Sequence, residues 1–211
     1  MQNKKILNIL IFLLFFTIVW SISEPHNILL WIAETLPLFI GISIMVISYK
    51  SFPLTIFSYF VIFIGAILIL IGAHYGYSYV PIGEWSKSIF ELERNNYDKL
   101  GHFFQGFITA VVTKEIICRK KLLSSTRWIN FFVLNISIAL SAVWEIFEWF
   151  FVLIAVSVGV KKPAADFLGT QNYIWDTQSD MFLAAIGGII AIFIFGKYHE
   201  RKIKQLELQS E

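Results

Sequence analysis

Ionisable side chains recur at helical spacing within segments of this sequence that are otherwise apolar. They form three pairs whose members are three or four residues apart: Asp98 with His102, Glu145 with Glu148, and Asp176 with Asp180. Residues at these spacings share one face of an α-helix. Carboxylates and imidazoles that converge in this way are typical metal ligands and general acids or bases. The chemistry therefore depends on which elements bring the three pairs together.

The composition predicts that these elements lie in a membrane. The chain has 211 residues, of which 57% are hydrophobic and 15% are charged, and its mean hydropathy is +0.69. Soluble domains carry roughly 25% charged residues. With Cys118 as its one cysteine, the composition excludes a soluble globular domain, a disordered chain and a disulfide scaffold. The net charge of +2 gives no indication of a nucleic-acid partner.

Six apolar segments are long enough to cross a bilayer, since a spanning helix needs roughly 20 residues. The long runs do not alternate polar with apolar residues, which favours helices over a β-barrel. We predict an all-α, multi-pass inner-membrane protein with one transmembrane domain over residues 1–211 and outer loops over 75–96 and 161–175. The predicted helices lie near residues 6–23, 28–49, 52–74, 97–118, 128–151 and 176–196.

The fifth segment is longer than a bilayer requires. Residues 128–160 form one apolar stretch of 33 residues, which would be about 50 Å as a single helix. The hydrocarbon core is only ~30 Å thick. We therefore expect this helix to tilt, to protrude, or to break near residues 148–151.

The positions of lysine and arginine predict the orientation, because these residues are enriched on the cytoplasmic side. Only five of the 17 fall in the loops after the odd-numbered helices: Lys87, Arg94, Lys99, Lys161 and Lys162. Both termini are therefore predicted to be cytoplasmic. The basic tail after Gly196 fits this topology, with contact to anionic lipids as a second interpretation. The first helix could instead be a signal peptide cleaved near residues 21–23, although its long apolar core favours retention.

This topology places the three pairs at one depth, in the outer leaflet. Asp98 and Asp176 begin helices that enter from outside, while Glu145 lies near the outer end of its helix. His74 ends the third helix on the same side, and Glu34 lies about two turns into the second helix. Ionisable groups inside a bilayer are costly and mark functional sites by default.

The charges of this cluster predict a cation. Five carboxylates face two histidines, and we expect no buried arginine among them. In a low-dielectric pocket, either some of the carboxylates are protonated or cations neutralise them. A set of oxygen ligands with one or two imidazoles suits Mg²⁺, Mn²⁺ or Zn²⁺. The predicted metal ligands are His74, Asp98, His102, Glu145, Glu148 and Asp180.

Structural alternatives exist for single members of the set. Asp98 and Asp176 could cap the helices that they begin, and His74 could be an ordinary residue at a helix end. Capping does not explain Glu145 and Glu148, because the helix dipole disfavours acids near a C-terminus. The whole set could also be a structural polar network. On the cytoplasmic side we expect no comparable set, and we interpret Glu115, beside Lys114 and Arg119, as an ordinary ion pair.

Motifs in helices 3 to 6 resemble the YjdF-type bacterial inner-membrane proteins, a group of unknown function. These motifs lie at residues 71–77 with 80–83, 96–106, 114–119, 141–149, and 167–171 with 175–181. A looser similarity links Asp98, Lys99, His102, Asp180 and Gly187 to VanZ-like membrane proteins, which are associated with glycopeptide antibiotic tolerance. The asparagine common in that pattern is Ala184 here. The second resemblance implies a role in the cell envelope only by analogy.

Three hypotheses for function follow. The first is a metal-dependent hydrolase or transferase that acts on a lipid or lipid-linked headgroup. Its candidate catalytic residues are Asp98, His102, Glu145, Glu148, Asp176 and Asp180. The second is a proton- or ion-coupled transporter that uses the same carboxylates as a relay. The third is a non-enzymatic protein of envelope assembly or structure.

Overall fold

The chain folds into helices that are mostly long and apolar. The computed structural model describes residues 2–160 and 166–208, and within them it contains no β-strand. The helices are α1 (Gln2–Ile22), α2 (Ile28–Ser48), α3 (Ile56–Tyr75), α4 (Pro81–Ile89), α5 (Tyr97–Arg119), α6 (Thr126–Ser157), α7 (Asp176–Phe193) and α8 (Gly196–Leu208). Among the described residues, α1, α2, α3, α6 and α7 are long and apolar enough to cross a membrane. The prediction of an all-α, multi-pass membrane protein is confirmed.

Helix α5 is the sixth long helix of the bundle and the most polar of them. It carries charged residues at both ends, which include Asp98, Lys99, Glu115 and Arg119. Its 23 residues extend about 35 Å at 1.5 Å per residue, enough to span the apolar layer. It packs against α3, α6 and α7 and so lies at the centre of the bundle, where its polar residues are shielded from lipid.

Helix α6 runs through its 32 residues without a break. The predicted break near residues 148–151 is therefore absent. At about 48 Å the helix exceeds the ~30 Å hydrocarbon core. Tilting and protrusion remain as the ways to accommodate its length.

Close backbone approach between α5 and α7 holds the centre together. A methyl group on Gly106 would collide with the backbone of Ala184, and one on Gly187 would collide with the backbone of Phe103. Small residues that let helices approach in this way are the usual device of membrane bundles. This contact sets the beginnings of α5 and α7, and hence Asp98 and Asp180, side by side.

Both termini of the described chain lie at one end of the bundle. Lys4, near the start of α1, lines the same cavity as Lys202 of α8. We call this the inner end, following the predicted orientation, and the opposite end the outer end. Two of these eight helices lie outside the six predicted segments. Helix α4 lies within the outer loop predicted over residues 75–96, and α8 forms the basic tail.

Candidate functional site

Three ligand groups from α5 and α7 meet at the outer end. One ligand atom each from Asp98, His102 and Asp180 lie within 4.8 Å of one another. Asp98 and His102 come from consecutive turns of α5, and Asp180 lies on the second turn of α7. His102 is 4% exposed and Asp180 is 1% exposed, so both are shielded from solvent. The spacing on α5 and the close contact with α7 together build this group.

Glu145 of α6 extends the group on the side of the imidazole. His102 Nε2 lies 3.5 Å from Glu145 Oε1 and 3.6 Å from Asp98 Oδ1. Both distances exceed those of ordinary hydrogen bonds, which are 2.7–3.2 Å for nitrogen donors and oxygen acceptors. The three side chains therefore face a common point without bonding one another directly.

Several polar atoms at this point have no hydrogen-bond partner among the described residues. They include His102 Nδ1 and Glu145 Oε1, together with Gln105 Oε1 and Ser141 Oγ one turn deeper. Buried polar atoms are nearly always satisfied in proteins, and an exception calls for a water, an ion or a functional explanation. The arrangement is therefore suited to receive a ligand.

Two more acids, Glu148 and Glu34, lie next to this group. Glu148 of α6 interacts electrostatically with Asp98, with Glu145 and with Glu34 of α2. Tyr77, in the turn after α3, lies near Glu34 and Glu148 as well. Glu34 thus belongs to the outer cluster, a point that the sequence left open. Five carboxyl groups of α2, α5, α6 and α7 share one low-dielectric region: Glu34, Asp98, Glu145, Glu148 and Asp180.

Two basic side chains neutralise part of this charge. The ammonium group of Lys99 donates to Asp180 Oδ1 at 2.7 Å and to Asp176 Oδ1 at 2.9 Å. Arg94, only 7% exposed, pairs with Asp176 and also donates to the carbonyl of Thr170. Arg94 lies in the loop before α5, outside the helical segments to which the expectation of no buried arginine applies. In the predicted topology both basic residues belong to the charges of the outer loop, and the excess of carboxylates was the signal that pointed to them as partners.

Asp176 differs from the other acids of the cluster in its ion pairs. Its Oδ1 accepts from both Arg94 and Lys99, so this oxygen is occupied. Among the described residues, the group that could hold a metal ion does not include Asp176. Its place in the structure is that of a residue that holds the cations beside Asp180.

His74 lies apart from the cluster. Its Nδ1 is 3.1 Å from the carbonyl oxygen of Ser21, and its ring packs on those of Trp20 and Tyr75. These contacts join α3 to the end of α1. We therefore leave His74 out of the proposed metal site.

Neither Asp98 nor Asp176 caps its helix. The cap positions are Asn96 for α5 and Trp175 for α7, and neither side chain makes a capping hydrogen bond. Asn95 serves the start of α5 instead, because its Oδ1 accepts from the backbone N–H of Tyr97 at 3.0 Å. The carboxylates at these helix starts are thus free of a capping role.

The inner end contains a polar cluster that the sequence did not predict. Glu115 is fully buried and accepts hydrogen bonds from Thr55, Ser58 and Arg119, and His199 of α8 lies 3.2 Å from it. The predicted pair with Arg119 is present, at 3.0 Å. Lys114, however, pairs with Glu200 of α8 at 2.7 Å. Each oxygen of Glu115 has partners, so this cluster fastens α8 to the bundle.

Comparison with known proteins places the chain in a family. A family model described as "Predicted membrane protein (DUF2238)" matches residues 6–201. The chain belongs to this family. It is similar to "Inner membrane protein YjdF" of Escherichia coli (strain K12), with 36% identity over 191 residues, which cover 90% of this chain and 89% of the relative. No solved structure matches.

Membership in this family confirms the resemblance inferred from the motifs of helices 3 to 6. The match extends through α1 and α2 as well, where the motifs gave little support. It also confirms the prediction of a multi-pass protein of the inner membrane. The chemistry of the outer cluster has to be argued from the side chains themselves.

Proposed function

We propose that the outer cluster binds a divalent metal ion, Mg²⁺, Mn²⁺ or Zn²⁺, and uses it to act on a lipid or lipid-linked headgroup. Asp98, His102 and Asp180 are the proposed ligands. The observation that carries the proposal is the convergence of their ligand atoms within 4.8 Å. Carboxylate oxygens with one imidazole form a donor set that these ions accept.

The spacing around the imidazole supports a metal ion. Ligand atoms about 2.1 Å from a tetrahedral ion lie about 3.4 Å from one another. His102 Nε2 lies 3.5 Å from Glu145 Oε1 and 3.6 Å from Asp98 Oδ1. Glu145 is therefore close enough either to be a fourth ligand or to act on a molecule bound to the ion.

The excess of carboxylates supports the same conclusion. Within the part of the chain that the structure describes, five carboxyl groups of the cluster and Asp176 face two permanent cations, Arg94 and Lys99. Uncompensated charges of one sign are costly in a region of low dielectric constant. A divalent cation would offset two of the remaining negative charges.

The proposed reaction is hydrolysis or transfer at a phosphoryl group. An ion held by Asp98, His102 and Asp180 would supply polarisation of the phosphoryl oxygen. Water adds its oxygen to phosphorus, and the bond from phosphorus to the leaving alcohol oxygen breaks. Glu145 accepts the proton of the water, and Glu148 in its protonated form gives a proton to the leaving oxygen. In transfer, an acceptor hydroxyl replaces the water.

The substrate class follows from the position of the cluster. Asp98 and Asp180 lie in the first turns of helices that begin at the outer end. Under the predicted topology this is the depth of the lipid headgroups. A headgroup can reach this depth without leaving the bilayer surface, which favours a lipid over a soluble substrate.

A proton- or ion-coupled transporter is the second candidate, because buried carboxylates can also relay protons. The polar atoms of Gln105 and Ser141 extend the cluster one turn inward. Below them, an apolar core that includes Ala110, Val111 and Val133 lies between the outer cluster and the inner end. Such a layer opposes a continuous polar path, so we rank transport below headgroup chemistry.

The first test is the metal content of the detergent-purified protein by elemental analysis. The comparison is with Asp98→Asn/Glu145→Gln in the cluster and with Glu91→Gln/Glu93→Gln, which removes two exposed acids of the outer loop. We expect a near-stoichiometric divalent metal in the wild type and in the loop variant. The folded cluster variant should contain none. Absence of metal from the wild type after reloading with Mg²⁺, Mn²⁺ and Zn²⁺ would overturn the proposal.

The reaction is tested separately in mixed micelles that contain phospholipids or polyprenyl-linked phosphates. Released headgroups are detected by mass spectrometry. Product that requires metal and disappears in Glu145→Gln would support headgroup chemistry. The result that favours transport is a site that binds metal but forms no product, together with a proton flux in liposomes that Glu148→Gln abolishes. Proton-coupled transport would then replace headgroup chemistry as the proposed function. Tolerance of neutral substitutions at all the cluster carboxylates would favour a structural role.

A further inference from the structure

A cavity of about 380 Å³ opens at the inner end, far from the outer cluster. Its walls come from the start of α1, the connection between α2 and α3, the first turn of α3, and α8. It is large enough for a ligand, since ligand pockets begin near roughly 300 Å³. The cavity lies between the first turns of α1 and the last turns of α8. A bound molecule would therefore contact both helices.

The polar side of the cavity is positively charged. Lys4 and Lys202 line it, and neither forms an ion pair with the described residues. The ammonium of Lys202 donates to the amide oxygen of Gln205 at 3.3 Å and lies over the ring of Tyr198, and both of these groups are neutral. None of the described residues that line the cavity carries a carboxylate side chain. The cavity therefore carries two positive charges that no described acid compensates.

The remaining wall is apolar and belongs to the membrane-spanning part. Leu7 and Ile56 line it, and both lie in helices that are long and apolar enough to cross a bilayer. Leu206 closes the wall from α8. Tyr49 and Tyr59 also line the cavity, and the hydroxyl of Tyr59 accepts from the backbone N–H of Leu54 at 3.2 Å. An occupant must thus be anionic at one end and hydrocarbon-like at the other.

We propose that this cavity binds one anionic phospholipid of the inner leaflet. Its phosphate would lie between Lys4 and Lys202, with hydrogen bonds from the two tyrosine hydroxyls. Its acyl chains would pack against Leu7, Ile56 and Leu206. The charge complementarity selects an anionic over a zwitterionic lipid, and the apolar wall selects a lipid over a soluble phosphate. The bound lipid fastens α8 to α1 at the cytoplasmic surface.

The test is native mass spectrometry of the delipidated, detergent-purified full chain, titrated with dioleoyl phosphatidylglycerol or dioleoyl phosphatidylcholine. Wild-type protein should retain the anionic lipid preferentially. Lys4→Gln/Lys202→Gln should bind it about 30-fold more weakly, because each lysine near an anionic headgroup contributes roughly fivefold to the affinity. The matched control Lys120→Gln/Lys121→Gln removes two charges at the same end but outside the cavity, and it should bind as the wild type does.

A third variant separates the cavity from general attraction to a basic surface. Gln205→Trp fills the cavity from an exposed position on α8 and leaves both lysines in place. We expect it to weaken phosphatidylglycerol binding as well. The proposal is overturned if both lipids bind the wild type equally, if the two double variants bind alike, or if Gln205→Trp has no effect. Competition by glycerol phosphate at equal concentration would also overturn it, because a soluble phosphate would then suffice.

Discussion

The ammonium nitrogen of Lys99 lies 2.7 Å from Oδ1 of Asp180, a residue that the proposed metal site also requires. The same nitrogen holds Asp176 at 2.9 Å. Lys99 thus fixes the position of one carboxylate oxygen of Asp180. This ion pair holds the carboxylate of Asp180 in position, and it also reduces the repulsion between Asp180 and the neighbouring carboxylates.

Removal of Lys99 should destabilise the protein strongly. Its side chain is 13% exposed, and Lys99→Met leaves the buried Asp180 without its ion-pair partner, while Asp176 keeps Arg94. Breaking a buried pair from one side costs about 3–5 kcal/mol. Unfolding in sodium dodecyl sulfate titrations should show a loss in this range. The double variant Lys99→Met/Asp180→Asn should recover part of it, because the carboxylate that Lys99 leaves unpaired is then neutral.

The matched control is Lys87→Met, which removes a lysine of the outer-end helix α4 away from these pairs. It should unfold as the wild type does. Equal stability of Lys99→Met and Lys87→Met would show that the ion pairs of Asp176 and Asp180 contribute nothing to the fold.

Spacing along one helix was enough to predict part of the outer cluster. Asp98 and His102 lie on one face because four residues make about one turn. The topology then placed Asp180 and Glu145 at the same depth. The pair of Arg94 with Asp176 joins residues 82 positions apart. No local pattern specifies such a contact, because it depends on how α5 and α7 pack.

Gly106 should tolerate no side chain. A methyl group there would meet the backbone of Ala184, which cannot move without separating α5 from α7. Overpacking of this kind costs about 1–3 kcal/mol, so Gly106→Ala should lower the melting temperature. Gly41→Ala is the control, since a methyl group on Gly41 meets nothing within 4 Å. Alanine in a helix interior is favoured over glycine by roughly 0.5–1 kcal/mol, so the control should be unchanged or slightly more stable.

Metal binding at the outer cluster should release protons. Carboxylates and imidazole must be deprotonated to act as ligands, so a metal displaces any proton that the cluster holds. Calorimetric titration with Mn²⁺ in two buffers of different ionisation enthalpy measures this release. We expect observed enthalpies that differ between the buffers, and an affinity that falls as the pH is lowered. Identical enthalpies in the two buffers would mean that no proton leaves the cluster. Asp98→Asn should abolish the heat in both.

Helices α4 and α8, which lie outside the six predicted segments, differ in how far the sequence could predict them. Helix α4 begins with Pro81 at its first position, a common signal for a helix start, and this could have predicted it within the outer loop. Helix α8 is held by His199 and Glu200, whose partners Glu115 and Lys114 lie more than 80 residues away. The basic residues of α8 predict on which side of the membrane it lies, but they do not predict which residues of the bundle it contacts.

The docking of α8 should depend on His199. This side chain is 1% exposed and lies 3.2 Å from Glu115, which is itself fully buried. A hydrogen bond to a charged group contributes about 1.5–3 kcal/mol, so its loss should raise the population of detached α8 by roughly 10- to 100-fold. Limited trypsin digestion measures this population through cleavage after Arg201, provided that opening is fast relative to cleavage. His199→Ala should accelerate this cleavage, whereas Lys197→Gln, at an exposed position of the same helix, should not. Equal rates in the two variants would show that α8 is held by contacts other than the inner polar cluster.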